Sequence, residues 1–419
     1  MRRATLHAAP LRLVLLTTCA ALAPQAAFAQ ATQTGADISL SAEAVNNPYL
    51  SDEQGSWTGA GTAEFRPWLR HLDETDSITL RGVARVRGFT SDYDAETAFG
   101  ADLSATTRLN TRTSAYGRAS ILTTNRRTPF DVLTARPGLS DPIVPDPDAV
   151  PIAEPIVLLP GEDITVLGVP GRITTTSVGA GVSHQIDPAS SLGYNVSYSR
   201  LDGDEDSFGT GYQRASFGAS YSRRLSPRTQ VGLSGNASLI RYDESRPSAT
   251  TFSLSATWAQ QLDRYWSLSA SAGVSSTEAE ASGLFPGYSL VSPVASVSLC
   301  NQPVRRSFCF GYTRAQQPSF LGDVRISDSV SANYSEQLSQ SRRIDFDAGY
   351  SRSQGNDESG ILFPDVEVLS LRGALTQTIN DRIEGYVSGS LSKRYGGFQS
   401  DDPSITLGIG VRLRLGTRR

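Results

Sequence analysis

The sequence predicts an all-β fold: a transmembrane, antiparallel, up-and-down β-barrel of about eighteen strands, with sixteen as the alternative even count. Apolar and polar residues alternate with period two along most of the chain. Short and long connections follow one another in strict order, as the two rims of such a barrel require. After residue 30 no stretch approaches the roughly 20 apolar residues of a membrane-spanning helix.

Residues 1–29 read as an export signal. Arg2 and Arg3 give a positive start, Leu11 to Leu22 is mostly apolar with only Arg12 charged, and Ala27-Phe28-Ala29 offers a small-x-small cleavage site before Gln30. Cys19 follows Thr18, a poor neighbour for lipoprotein processing. The barrel then occupies residues 30–419 and is expected in the bacterial outer membrane, with its lipid as the first partner.

Composition narrows the class. Hydrophobic residues are 39% of the chain and there is one Met, so a soluble core would be thin. A membrane barrel needs apolar residues only at every second position. The net charge of −4 is too small to point to nucleic acid as a partner.

The strands justify themselves one by one. Ile405, Leu407, Ile409, Val411, Leu413 and Leu415 share one face, and Thr406, Gly408, Gly410, Arg412 and Arg414 share the other. The same holds for Leu192 to Tyr198, for Phe252 to Trp258, for Trp266 to Val274 and for Ile383 to Leu391. These runs exceed the roughly 5–6 residues usual in sandwich strands. Trp258, Tyr265 and Trp266 flank one connection and Trp68 lies near another, where an aromatic girdle is expected.

The short connections resemble one another: Gln185-Ile186-Asp187-Pro188, Arg224-Leu225-Ser226-Pro227, Gln261-Leu262-Asp263-Arg264, Gln337-Leu338-Ser339-Gln340 and Thr378-Ile379-Asn380-Asp381. A polar residue, an aliphatic and then Asp, Ser or Asn is tight-turn chemistry. Longer acidic connections lie between them, which puts the short turns in the periplasm and the long loops outside. With this phase, strands fall near 36–46, 57–69, 76–90, 96–109, 112–124, 173–186, 190–201, 207–223, 228–242, 248–261, 265–277, 288–300, 305–315, 325–338, 342–354, 365–379, 382–395 and 403–415.

Residues 125–172 interrupt the pattern. This segment holds nine prolines, seven Asp or Glu and four Arg, and proline at that density opposes sheet pairing. It is expected to be the third external loop, either folded inward as a pore constriction or standing outside as a cap. The run Ile152 to Pro160 is apolar enough to pack against a wall.

The polar faces carry Arg81, Arg85, Arg87, Arg112, Arg118, Arg412 and Arg414. A ring of basic side chains in a pore favours anions; the other reading is pairing with acidic neighbours on the wall. Cys300 and Cys309 sit symmetrically about the connection 301–306 on the same face parity. A disulfide stapling a periplasmic hairpin is expected, since exported proteins meet an oxidising compartment.

Catalysis is not expected. After the signal only His71 and His184 remain, both placed near periplasmic turns, and no Ser–His design or phosphate-binding glycine motif stands out. No cofactor or metal site is expected.

Asn46-Asn47-Pro48-Tyr49-Leu50, just after the first strand, resembles a family of outer-membrane β-barrel porins. The serine-rich strands and repeated turns are similar in texture along nearly the whole chain after the signal. Some members are encoded in exopolysaccharide export loci, so the resemblance implies movement of polysaccharide across the outer membrane and supplies no catalytic residues. Three functions stand as expectations: a channel for small solutes or an extruded polysaccharide; a non-conducting barrel docking periplasmic export components; and an embedded enzyme acting on lipid or glycan.

Overall fold

The computed structural model describes residues 31–416 except 51–56, 92, 127–162, 167–169, 204–210, 244–245, 282–286, 356–364 and 397–401. The expected signal peptide therefore lies outside the described residues, as does most of the long proline-rich segment.

The strands form one eighteen-stranded antiparallel sheet in which each pairs with its sequence neighbours and β1 closes on β18. In chain order they are β1 Ala31–Asn46, β2 Trp57–Leu72, β3 Asp76–Phe89, β4 Glu96–Asn110, β5 Thr113–Arg126, β6 Pro170–Asp187, β7 Ser190–Gly203, β8 Tyr212–Ser226 and β9 Thr229–Tyr242. They continue as β10 Ala249–Gln261, β11 Trp266–Ala279, β12 Tyr288–Asn301, β13 Arg306–Pro318, β14 Val324–Gln337, β15 Arg342–Gln354, β16 Val366–Asn380, β17 Ile383–Tyr395 and β18 Ser404–Gly416. Closure leaves no sheet edge, which is how a strand protein satisfies its backbone in lipid.

Alternation gives the wall its two faces. Leu254 is 64% exposed and Ile409 63%, and exposed Leu40, Phe99, Val178, Phe217 and Val387 share this outer surface. The inner surface is rich in hydroxyls paired across strands: Ser120 with Ser177, Ser191 with Ser222, Ser234 with Ser255 and Ser271 with Ser296, each at 2.7 Å. Polar side chains inside satisfy one another, while apolar ones outside meet lipid.

Tight turns form where side chains cap the backbone. Asp263 accepts the N–H groups of Tyr265 and Trp266 at 2.7 and 2.8 Å, and these bonds hold its carboxyl below the usual range. Asn380 does the same for Arg382 and Ile383 at 2.9 and 3.0 Å.

Several placements differ from the sequence reading, and β1 begins at Ala31 instead of 36. β8 begins at Tyr212, not 207, and residues 207–210 lie outside the described set. Arg112 lies in the turn before β5 and is exposed on the periplasmic rim. Trp68 faces inward instead of joining a lipid girdle, because alternation from outward Phe65 puts it on the inner face, where its ring lies over Gly35 and a Cβ would come within 2.5 Å of it. Only a glycine leaves room for that ring.

Candidate functional site at the external mouth

The site grows from the external ends of β13 and β14. Ser319 to Asp323 makes a tight turn, with Ser319 N–H donating to Asp323 O at 2.9 Å and Gly322 N–H to Ser319 O at 3.0 Å. Gly322 has φ of 88°, which favours glycine, and the Arg246 side chain would crowd any Cβ there at 3.2 Å.

This turn is folded into the barrel. Phe320 is fully buried against Ile173 on β6 and Leu201 on β7, on the far side of the ring. Val324 packs with Ile240, Tyr242, Ala249, Ala279 and Tyr288 from the inner faces of β9 to β12. Tyr242 donates its hydroxyl to Asp323 O, and Val324 N–H donates to the Tyr288 hydroxyl at 3.1 Å.

A second segment meets it there. Asp163 precedes a short 3-10 turn, Ile164–Val166, in the long connection between β5 and β6. Ile164 packs on Val366 and Val368 of β16, seven strands around the ring from β5. The Asp163 carboxylate accepts Thr165 N–H at 3.0 Å, the Thr165 hydroxyl at 2.6 Å and the Phe320 N–H. Thr165 and Ser319 hydroxyls lie 3.2 Å apart. These described residues of the segment thus enter the mouth; the apolar run 152–160 lies outside the described set.

Charge is concentrated here. Asp163, Asp323 and Arg325 are all buried. Burial pushes the Asp163 carboxyl up, against the pull of its Thr165 and Phe320 hydrogen bonds and the Arg325 charge. Burial lifts Asp323 to about 6, opposed by Arg325 and reinforced by Asp163. Arg325 also donates to Ser353 O at 3.3 Å. The arrangement holds two segments together at the mouth of the barrel through side-chain hydrogen bonds.

The predicted arginines do not gather at this mouth. Arg81, Arg85 and Arg87 line the inner face of β3, and Arg118 lines that of β5. Arg87 pairs with Glu43 at 2.7 Å and Glu96 at 3.4 Å. Arg414 and Arg412 pair with buried Glu384 at 2.7 and 3.7 Å. Carboxylates therefore oppose the basic charge of Arg87 fully and that of Arg412 and Arg414 in part, which weakens any anion-attracting field there. Asp37, Glu43, Glu64, Glu96 and Asp102 share the inner parity of these arginines.

The Asn-Pro-Tyr-Leu motif has a structural part to play. Asn47 and Leu50 have φ of 49° and 53°, Asn47 donates to Asp402 O at 3.0 Å, and Tyr49 donates its hydroxyl to Asp94 O. It ties three neighbouring external connections together. Cys300 and Cys309, opposite each other in the β12–β13 ladder, are joined by a disulfide on the periplasmic side. His71 and His184 lie within β2 and β6 near their ends, each hydrogen-bonded to a threonine on the adjacent strand.

Sequence reasoning missed Gln316, Ser319, Phe320, Asp323, Arg325, Tyr242 and Tyr288. Residues 316–324 read as a connection between strands, and nothing in their composition announces that they point inward.

No family model matches the chain, and no curated protein matches it. Solved structures similar to it include OpdL of Pseudomonas aeruginosa, at 11% identity and a TM-score of 0.43 over 92% of this chain and 99% of that one. A BenF-like porin of Pseudomonas fluorescens Pf-5 has 11% identity and a TM-score of 0.45 over 92% and 99%. Pseudomonas aeruginosa OccK2 (OpdF), solved in complex with glucuronate, has 11% identity and a TM-score of 0.45 over 92% and 98%. By its own closed ladder, apolar outer face and polar interior, this chain is an outer-membrane β-barrel.

Proposed function

We propose that the barrel is a gated channel for small polar solutes. One observation carries this reading: a hydroxyl- and charge-lined interior is obstructed at its mouth by two segments held through side-chain hydrogen bonds. Barrels of about this strand number leave an aqueous passage when their loops stay out. The paired arginines favour weak ionic selectivity over a dedicated anion site.

Passage of an extruded polysaccharide is the second reading. The rows of inner hydroxyls favour it, because they can exchange hydrogen bonds with a sliding glycan. It requires both mouth segments to leave together. Planar-bilayer recording tests the channel: small, interrupted steps are expected from the parent protein, and larger steady ones after Asp163→Ala with Thr165→Ala. Silence from both, and from a chain lacking 127–162, would overturn it in favour of a docking barrel. Liposome swelling with sugars of increasing length separates the solute reading from the polymer reading.

A further inference from the structure

β12 and β13 share only seven paired positions, Ala295↔Arg314 to Asn301↔Phe308. Among the described residues every other neighbouring pair has ten or more. Above Ala295, β12 stays with β11 and β13 stays with β14, so the seam between them is open. Continuing the register would set Pro293 against Gln316, Ser292 against Gln317 and Val291 against Pro318.

Two prolines explain the parting. Gln302 N–H points to Tyr265 O beyond β11, and Gln337 N–H points to Arg305 O beyond β13. By antiparallel alternation, odd residues of β12 and even residues of β13 point their N–H groups at the seam. Pro293 and Pro318 are both at such positions and have no N–H to offer. In a zipped continuation, 293↔316 and 291↔318 would be the hydrogen-bonded pairs, and each would lack one of its two bonds.

Gln316 supplies the compensation. By alternation with exposed Phe310 it should point outward, yet it is buried on the inner side of β11 and β12. Its Oε1 accepts from Ser275 at 3.0 Å and Thr277 at 2.6 Å, and its Nε2 donates to Ser292 at 2.9 Å, Leu290 O at 3.1 Å and Ser275 O at 3.4 Å. One seated side chain thus replaces the hydrogen bonds of a weakened ladder. The disulfide lies on the same pair of strands, below the point where they part.

We propose that residues 315–325 are a hinged gate, seated in the mouth when β12 and β13 are parted and withdrawn to the wall when they zip. The Cys300–Cys309 disulfide anchors the seam below the hinge. This inference rests on the channel reading for its consequence, though not for the movement itself. In zipping, Gln316 gives up its inner partners while 316 and 318 regain wall positions, and Phe320 leaves Asp163. Zipping would exchange the hydrogen bonds of the Gln316 side chain for a ladder that lacks two N–H donors.

Two cysteine pairs in the full chain test it. Ser292→Cys with Gln317→Cys occupies the same kind of facing position as the native disulfide and reports the zipped state. Thr165→Cys with Ser319→Cys reports the seated state. After oxidation in outer-membrane vesicles, mass spectrometry of each pair and bilayer recording of each purified protein are compared with the parent. Both bridges are expected to form, the first raising mean conductance severalfold and the second lowering it. Gln316→Leu, which keeps side-chain bulk, is expected to shift the parent toward the conducting state and to raise the yield of the first bridge. Failure of the first bridge in both backgrounds, with the second forming, overturns the hinge. Both bridges forming with unchanged currents overturns the gate. A bridge pattern as expected, with no current from any protein, leaves the movement standing and overturns the channel.

Discussion

The carboxylate of Asp163 accepts the backbone N–H of Phe320, tying the β5–β6 connection to the β13–β14 turn inside the mouth of the barrel. The two residues are 157 positions apart in sequence. The contact is buried, and both segments would otherwise be external loops.

Replacing Asp163 with Ala removes the acceptor for Phe320 N–H and for both Thr165 groups. A buried donor left without a partner costs about 1–3 kcal/mol, so about 2 kcal/mol for the Phe320 N–H alone shifts the ratio of seated to withdrawn states roughly thirtyfold. Bilayer recordings should show a higher open fraction. Asp163→Asn keeps an acceptor and should change it much less.

Acid should close the channel. Burial raises both Asp163 and Asp323 in the seated state, the latter to about 6, from an ordinary value of 3.8. The seated state therefore binds more protons between about pH 4 and 6, and its stability falls as pH rises through that window. Arg325 opposes both shifts, and Arg394, Tyr242 and Tyr288 are the other ionisable groups coupled to the pair. Open probability should rise by roughly tenfold or more from pH 4 to pH 7. Asp323→Asn should flatten the profile.

Glu384 sets one negative charge against Arg412 and Arg414 on the inner wall near the periplasmic end. Glu384→Gln should leave two guanidinium groups facing the passage with less opposing charge. Reversal potentials in a salt gradient should move toward anion selectivity, with a larger shift at low ionic strength.

Leu254 lies near the middle of β10 on the outer face. Leu254→Arg should destabilise the barrel by roughly 2–4 kcal/mol, the cost of a basic side chain facing the bilayer midplane. Urea unfolding in lipid vesicles measures it.

The wall was legible because its code is short-range. Alternation in residues 403–415 and in 248–261 defines faces without knowledge of neighbours, and the paired lengths of strands follow from the turns. Cys300 and Cys309 were visible as a pair because symmetry about one turn gives their register. The mouth was not legible for the opposite reason. Gln316 obeys outward parity in sequence, and only the bend of β13 carries it inside. Asp163 meets Phe320 through a long-range closure that no local pattern encodes. Trp68 read as a girdle residue because its position near a turn outweighed the alternation from Phe65, which puts it on the inner face over Gly35. The available signal was the pair of prolines, Pro293 and Pro318, above a disulfide-linked hairpin.

The barrel and its passage both depend on which side chains face lipid, and single-tryptophan fluorescence in brominated lipid measures that. A protein retaining only Trp258 should be quenched by bromine on the acyl chains and spared by aqueous iodide. One retaining only Trp68 should show the reverse, being quenched by iodide and spared by bromine. Lipid quenching of Trp68 together with iodide quenching of Trp258 would mean that the two faces are the other way round.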